Sequence, residues 1–235
     1  MNTATFRWRA ILAAGLAVVG LAAAVFLVRS PVMPSASGTT SSAIPAPVVD
    51  EPATGRPNAE TAVLAGGCFW GVQGVFQHVK GVTVAESGYA GGDAATANYD
   101  TVSTGTTGHA ETVRITYDPT QVTYGQLLRI FFAVVQDPTE LNRQGPDVGT
   151  QYRSVIFAQD ETQRNIAGAY IAQLNQAGAF PAPIVTTVSP GTQFFPAEAY
   201  HQDFLSLHPN NPYIVANDLP KLDALRSTFP DLYRD

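Results

Sequence analysis

The only cysteine of the 235-residue chain, Cys68, lies in the stretch Ala65-Gly66-Gly67-Cys68-Phe69-Trp70-Gly71. A cysteine here has two readings: a nucleophilic or redox-active thiol, or a small buried hydrophobe. Phe69 and Trp70 could wall a pocket beside it. A nucleophile also needs an acid or base and groups that hold a developing charge. Glu111 ends Gly108-His109-Ala110-Glu111, where a glycine-rich loop enters a strand, Tyr99 lies in the loop before it, and Asp147 and Tyr152 flank Gly149-Thr150-Gln151. Taken singly, each has a structural reading: Glu111 a solvent-facing strand residue, Tyr99 a loop cover, Asp147 a turn former, Tyr152 a core aromatic. His109 and His201 are alternative bases. The histidines show no His-x-x-x-His or His-Glu-x-x-His spacing, so no metal site is expected.

The elements that must position these residues follow from periodicity. The apolar run 61–65 predicts a short buried strand, and Val72, Val75, Phe76 and Val79 recur at helical spacing after residue 69. Cys68 therefore falls where a strand turns into a helix, with Gly66 and Gly67 permitting a tight turn. Unsatisfied amides at a helix N-terminus favour a thiolate there. Alternation predicts strands over 82–89 and 111–117, and further strands over 152–158 and 184–188. Thr123 with Gln126 forms a capping box ahead of an apolar stripe ending at Val135. Helices are predicted over 160–177, 197–207 and 221–229, and polar loops over 90–108 and 136–151. The expected fold class is α+β, a two-layer α/β sandwich with long functional loops.

Charge and cysteine usage exclude several functions. The net charge is −6, and residues 58–235 carry nine Lys and Arg against seventeen Asp and Glu, which argues against a nucleic-acid partner. One cysteine allows no internal disulfide, no Cys-x-x-Cys redox pair and no cysteine-rich zinc site. Ahead of the domain, Arg7 and Arg9 precede a nineteen-residue apolar or glycine run over 10–28, closed by Arg29. That length predicts a hydrophobic N-terminal helix, either a membrane anchor over 1–29 or a signal segment. The charges place the following chain outside the cytoplasm: single-pass in a bacterial inner membrane with the catalytic domain in the periplasm, or free in the periplasm after cleavage. Residues 30–57 hold six of the seventeen prolines and read as a disordered tether, so the folded domain is expected over 58–235, as a monomer.

Gly67-Cys68-Phe69-Trp70-Gly71 resembles the signature of A-type peptide methionine sulfoxide reductases. Gly88-Tyr89-Ala90-Gly91-Gly92, Gly108-His109-Ala110-Glu111, Tyr117-Asp118-Pro119, the stretch from Gly149 through Tyr152 to Ser154, and Ala197-Glu198-Ala199-Tyr200-His201-Gln202 are similar to that family's other motifs, in the same order. Asn210-Asn211-Pro212-Tyr213 and Pro220-Lys221-Leu222 are similar to a common family ending. The resemblance covers roughly residues 60–235 and implies a ferredoxin-like core. It also implies thiol-dependent reduction of the S epimer of methionine sulfoxide, free or in proteins, through a cysteine sulfenic acid. Cys68 would be the nucleophile and Glu111 the acid that protonates the sulfoxide oxygen, with Tyr99 and Tyr152 hydrogen-bonding that oxygen. Phe69 and Trp70 would receive the substrate methyl group, and Asp147 would fix water or the substrate backbone. No cofactor is implied.

Two departures from that pattern matter. Resolving cysteines, which many relatives carry near the C-terminus, are absent, so the reductant must come from outside, either a thioredoxin-like protein or a small thiol. Gln136-Asp137-Pro138 stands where the family often has His-Asp-Pro, and Pro146 removes a backbone donor beside Asp147 where the family usually has Asn. The alternatives are a cysteine hydrolase or acyl transferase using Cys68 with His109 or His201, and a tethered domain that binds methionine-rich proteins without turnover.

Overall fold

A computed structural model describes residues 44–51 and 59–235. The N-terminal segment 1–29 and the rest of the 30–57 tether lie outside the described residues. No helix among the described residues is long and apolar enough to cross a membrane.

The chain alternates strands and helices as its periodicity dictates. β1 (Glu60–Ala65) sends Ala62 and Leu64 to one face of a sheet and Val63 and Ala65 to the other. α1 (Phe69–Gln77) follows, then β2 (Val82–Ala90), the short α2 (Tyr99–Val102) and β3 (Ala110–Tyr117). Next come α3 (Tyr124–Ile130), running into a π turn (Phe131–Val135), and a small ribbon of β4 (Arg143–Gln144) and β5 (Asp147–Val148). β6 (Val155–Ala158), α4 (Glu161–Gln176), β7 (Thr187–Pro190) and β8 (Phe194–Pro196) complete the sheet. α5 (Phe204–Leu207) and α6 (Leu219–Thr228) close the chain.

Six strands form one sheet in the order β7-β6-β1-β3-β2-β8, antiparallel throughout except for the β6–β7 pair. The apolar residues of α1, α3, the π turn and α4 gather with Leu64, Tyr89, Val113, Ile115 and Ile156 in one core, so the helices cover one face. A small second cluster, Val63, Ala65, Ala90, Ala110, Val155 and Phe157, lies on the opposite face under Phe194. Residues 59–235 contain no methionine, and the core is filled by Val, Leu, Ile, Phe, Tyr and Ala.

The expected capping box forms: Thr123 Oγ1 accepts from the Gln126 amide at 3.2 Å and Gln126 Oε1 from the Thr123 amide at 2.9 Å. β8 was not expected. It is a three-residue edge strand ending in Pro196, too short for alternation to register, and proline is tolerated at such an edge.

Residues 44–51 correct the reading of 30–57 as a disordered tether. Ile44 is buried, Arg129 and the Tyr170 hydroxyl donate to the carbonyls of Ile44 and Pro45, and the Asp50 carboxylate accepts from the Gly125 amide and the Thr123 hydroxyl. Glu51 takes the Tyr124 amide at 2.7 Å. These carboxylates satisfy first-turn amides of α3 that no helix carbonyl can reach. Proline-rich composition prevents this stretch from building a core of its own. It does not prevent docking onto an existing one.

Candidate active site

Gly67 adopts φ +96°, a conformation that favours glycine, and an added Cβ would lie 2.7 Å from the Gln144 side chain. This turn delivers Cys68 as the residue capping the N-terminus of α1. Cys68 is nearly closed off, 9% exposed. Burial pushes the thiol well above its ordinary range, the charges of Glu111 and Asp218 push the same way, and the Trp70 amide and Lys221 oppose them. The sequence expectation of a thiolate at a helix N-terminus is therefore corrected: desolvation outweighs the amide. At rest the site holds a thiol.

A cavity of about 180 Å³ is lined by Cys68, Phe69, Trp70, Tyr99, Glu111, Asp147, Tyr152 and Tyr213. All seven candidates drawn from the sequence meet there, from five separate parts of the chain. Glu111 lies on β3, 3% exposed, and its Oε2 accepts the Phe69 amide at 3.0 Å. Burial raises its carboxyl to about 8; the Phe69 bond lowers it and Asp147 raises it further. At neutral pH Glu111 is an acid holding its proton.

Tyr99 opens α2, whose first turn is capped by the Asn98 side chain. The Tyr99 amide donates to Glu198 Oε1 at 2.9 Å, and the Tyr89 hydroxyl donates to Oε2 of the same carboxylate at 2.8 Å. Tyr152 ends a 3-10 turn ahead of β6, which explains why the predicted strand over 152–158 begins later and leaves this ring facing the cavity. Burial raises both tyrosines above their ordinary range, so their hydroxyls remain donors. Asp147 is fixed by a short hydrogen bond from the Tyr213 hydroxyl.

Trp70 is locked from three sides. It stacks on Phe204 with ring centroids 3.7 Å apart at 8°, meets the edge of Tyr213, and donates Nε1–H to His201 Nδ1 at 3.1 Å. His201 is thereby committed to Trp70, and burial lowers its pKa. His109 Nε2 donates to the Asp93 carbonyl at 3.0 Å and the ring packs against Tyr89 and Phe195. Neither histidine lines the cavity beside Cys68, which removes the proposed base of a cysteine hydrolase. Among the described residues no cluster of His, Cys, Asp and Glu could hold a metal ion.

Sequence reasoning missed four contributors: Tyr213, Glu198 and the ion pair of Asp218 with Lys221, 3.1 Å apart. Each lies within, or close to, one of the C-terminal stretches that carried the resemblance, but no role was drawn from its spacing. Asp218 has no exposed surface, and an added Cβ on Gly71 would come within 2.1 Å of its Oδ1. The assembled site couples a thiol to a protonated carboxyl across a small aromatic cavity with two further hydroxyl donors. It suits transfer of an oxygen atom that must be protonated as it leaves its original partner.

Comparison with known proteins agrees with this chemistry. Residues 60–232 match the family model for peptide methionine sulfoxide reductase. The chain is 64% identical over 179 residues to peptide methionine sulfoxide reductase MsrA 2 of Mesorhizobium japonicum, covering 76% of this chain and 92% of that protein. It is 51% identical to the protein of the same name from Synechocystis, over 81% of this chain and 90% of the relative. Among solved structures, reduced Mxr1 of Saccharomyces cerevisiae superposes with TM-score 0.58 at 32% identity, over 65% of this chain and 87% of that one. Methionine sulfoxide reductase A of Corynebacterium diphtheriae gives 0.56 at 35% identity, over 67% and 78%.

Proposed function

The chain belongs to the A-type peptide methionine sulfoxide reductase family, and from that premise we propose a residue-level course for its thiol-dependent reduction of methionine sulfoxide to methionine. The observation that carries it is the placement of the Cys68 thiol and the protonated Glu111 carboxyl on one small cavity.

The substrate methyl group enters against Phe69 and Trp70, and the sulfoxide oxygen points to Glu111, Tyr99 and Tyr152. Hydrogen bonds from these three groups draw electron density onto the oxygen and make the sulfur electrophilic. Cys68 Sγ attacks that sulfur as Glu111 protonates the oxygen. The S–S bond so formed and the substrate S–O bond then both break as an S–O bond to Cys68 forms, and methionine leaves. The thiol proton replaces the one Glu111 gave up. Cys68–SH and sulfoxide thus become Cys68–SOH and sulfide, with no change in the charge of the site. One wall binds oxygen and the other binds methyl, which supports selectivity for the S epimer. Asp147, held by Tyr213, orients water or the substrate backbone.

With a single cysteine, return of the sulfenic acid to the thiol falls to an external donor, a thioredoxin-like protein or a small thiol. We read the β1-α1-β2-β3-α3-β6 order, with strands arranged β6-β1-β3-β2, as a ferredoxin-like core. Arg7 and Arg9 ahead of the apolar run over 10–28 support attachment to, or export across, a bacterial inner membrane, with the domain in the periplasm. Repair of oxidised envelope proteins would follow from that location; fractionation with intact mass of the protein tests it.

The reaction is tested with peptides carrying S- or R-methionine sulfoxide, with and without dithiothreitol. Thiol-dependent loss of the S epimer alone is the expected result. Turnover that survives in Cys68→Ser overturns the assignment.

A further inference from the structure

Cys68 borders a second, larger opening. A groove of about 390 Å³ reaches Cys68 between the π turn after α3, the β4–β5 ribbon and the C-terminal segment. It shares only Cys68, Asp147 and Tyr213 with the small cavity. Val134, Val135, Gln136 and Gln144 form part of its walls, and none of them touches the cavity that holds Glu111. The mechanism above leaves this groove without a task.

We propose that the groove admits the reducing thiol, and that its acidic lining discriminates against anionic thiols. The proposal rests on the reductase reading and concerns only its second half. After methionine leaves, the hydroxyl of Cys68–SOH occupies the side where the sulfoxide oxygen was held, within reach of Glu111. Displacement at sulfur requires the incoming thiol to approach in line with the bond that breaks, away from the leaving hydroxyl. A second opening bordered by Cys68, sharing only Asp147 and Tyr213 with the other walls of the cavity, answers that requirement. The thiol sulfur forms an S–S bond to Cys68 and the S–O bond breaks. The hydroxyl departs as water with the proton Glu111 supplies, and the thiol's own proton restores Glu111. A second thiol then displaces Cys68 from the mixed disulfide, yielding Cys68–SH and an external disulfide.

The charges set the preference. Asp137, Glu140 and Asp147 line the groove, and the buried Asp218 lies behind it. Against these four, Lys221 is paired with Asp218, and Arg143 is paired with Glu140 at 3.3 Å. A carboxylate-bearing thiol therefore enters a negative field, whereas a neutral or cationic thiol does not.

The test separates the two half-reactions. Without thiol, one methionine released per Cys68 reports the first step; with excess sulfoxide, the steady-state rate at limiting thiol reports the second. We compare cysteamine, 2-mercaptoethanol and 3-mercaptopropionate at equal thiolate concentration, in the wild type, Asp137→Asn and Pro146→Lys. Both positions line the groove and are exposed. The expected order is cationic, neutral, anionic, with ~3-fold steps at low salt that shrink as salt is added. Each variant is expected to raise the anionic-to-neutral rate ratio by ~2- to 5-fold, a ratio that cancels any general loss of activity. Equal rates for the three thiols, or a ratio unchanged in both variants, overturns the proposal while the stoichiometric methionine yield keeps the reductase reading. Absence of that yield overturns both.

Discussion

The main-chain amide of Phe69 donates to Glu111 Oε2 at 3.0 Å, so the residue immediately after the nucleophile holds the acid in place. The two reactive groups come from a helix cap and from a strand forty-three positions away, yet one peptide unit fixes their separation. Oε1 makes no hydrogen bond to protein among the described residues and is left for substrate.

That arrangement sets a pH dependence. The Glu111 carboxyl sits at about 8, raised by burial, so the acid form is intact at neutral pH and is lost as pH climbs through 8. The single-turnover rate of methionine release is expected to fall across that interval. Glu111→Gln, which keeps the shape and the Phe69 contact but has no acidic proton, is expected to slow the step by ~10²- to 10⁴-fold while peptide binding stays nearly intact. Stopped-flow quench measurements from pH 6 to 9 decide it, and an unchanged rate removes the acid role.

The two tyrosines should share the oxygen. Tyr99→Phe and Tyr152→Phe each remove one hydroxyl from the cavity without changing its apolar wall. Each is expected to lower the methionine-release rate by ~10- to 10³-fold, as loss of one donor to a developing charge does elsewhere. If KM rises and the rate constant at saturation holds, the hydroxyls serve only to bind.

Gly71 shows how tightly the C-terminal segment is fitted behind the nucleophile. An added Cβ would press on the buried Asp218 carboxylate. Gly71→Ala is expected to destabilise the fold by ~1–3 kcal/mol, the usual cost of overpacking. Asp218→Ala in the same chain should recover part of that loss, because the clashing atoms are gone. A double-mutant cycle by urea denaturation measures the coupling, and strict additivity would show that the two residues do not meet.

The segment 44–51 carries its own titration. The Tyr117 hydroxyl lies 3.2 Å from Glu51 and 3.1 Å from Glu60. Burial, with Glu60 adding to it, lifts the Glu51 carboxyl from 4.5 to about 7. A carboxyl raised on folding stabilises the native state below its unfolded value, and that contribution is lost as pH rises through 7. Glu51→Gln should therefore flatten the dependence of Tm on pH between about 4.5 and 7 relative to the wild type, read by thermal melts of both proteins. Parallel curves would show that Glu51 does not titrate in this range.

Much of this was legible in the residues, for reasons that can be named. α1 and α3 carry apolar stripes at helical spacing, the stretches of β2 and β3 alternate, and β1, buried on both faces, reads as an unbroken apolar run. Cys68 stood out because Gly66 and Gly67 announced a turn between that run and a helical stripe. Glu111, Tyr99, Asp147 and Tyr152 did not stand out alone, since a loop tyrosine or strand glutamate has the same local pattern whether it faces solvent or a cavity. Ordered motifs brought them together. The thiol's raised pKa was illegible, because it depends first on burial by segments that only the fold brings together, and then on Glu111 and Asp218 arriving from 43 and 150 positions away. The docking of residues 44–51 was hidden for a related reason: its partners are the amides of α3, and amides leave no trace in side-chain composition.

The composition of the core has one further implication. Residues 59–235 lack methionine altogether, and Cys68 is their only sulfur atom. Oxidation of a buried thioether to its sulfoxide inserts a polar, chiral group that loosens packing. Here Val, Leu, Ile, Phe and Tyr fill every position where such a lesion could form, so the conditions that generate the enzyme's workload leave its own scaffold without a thioether to damage. Within this domain it cannot become its own client.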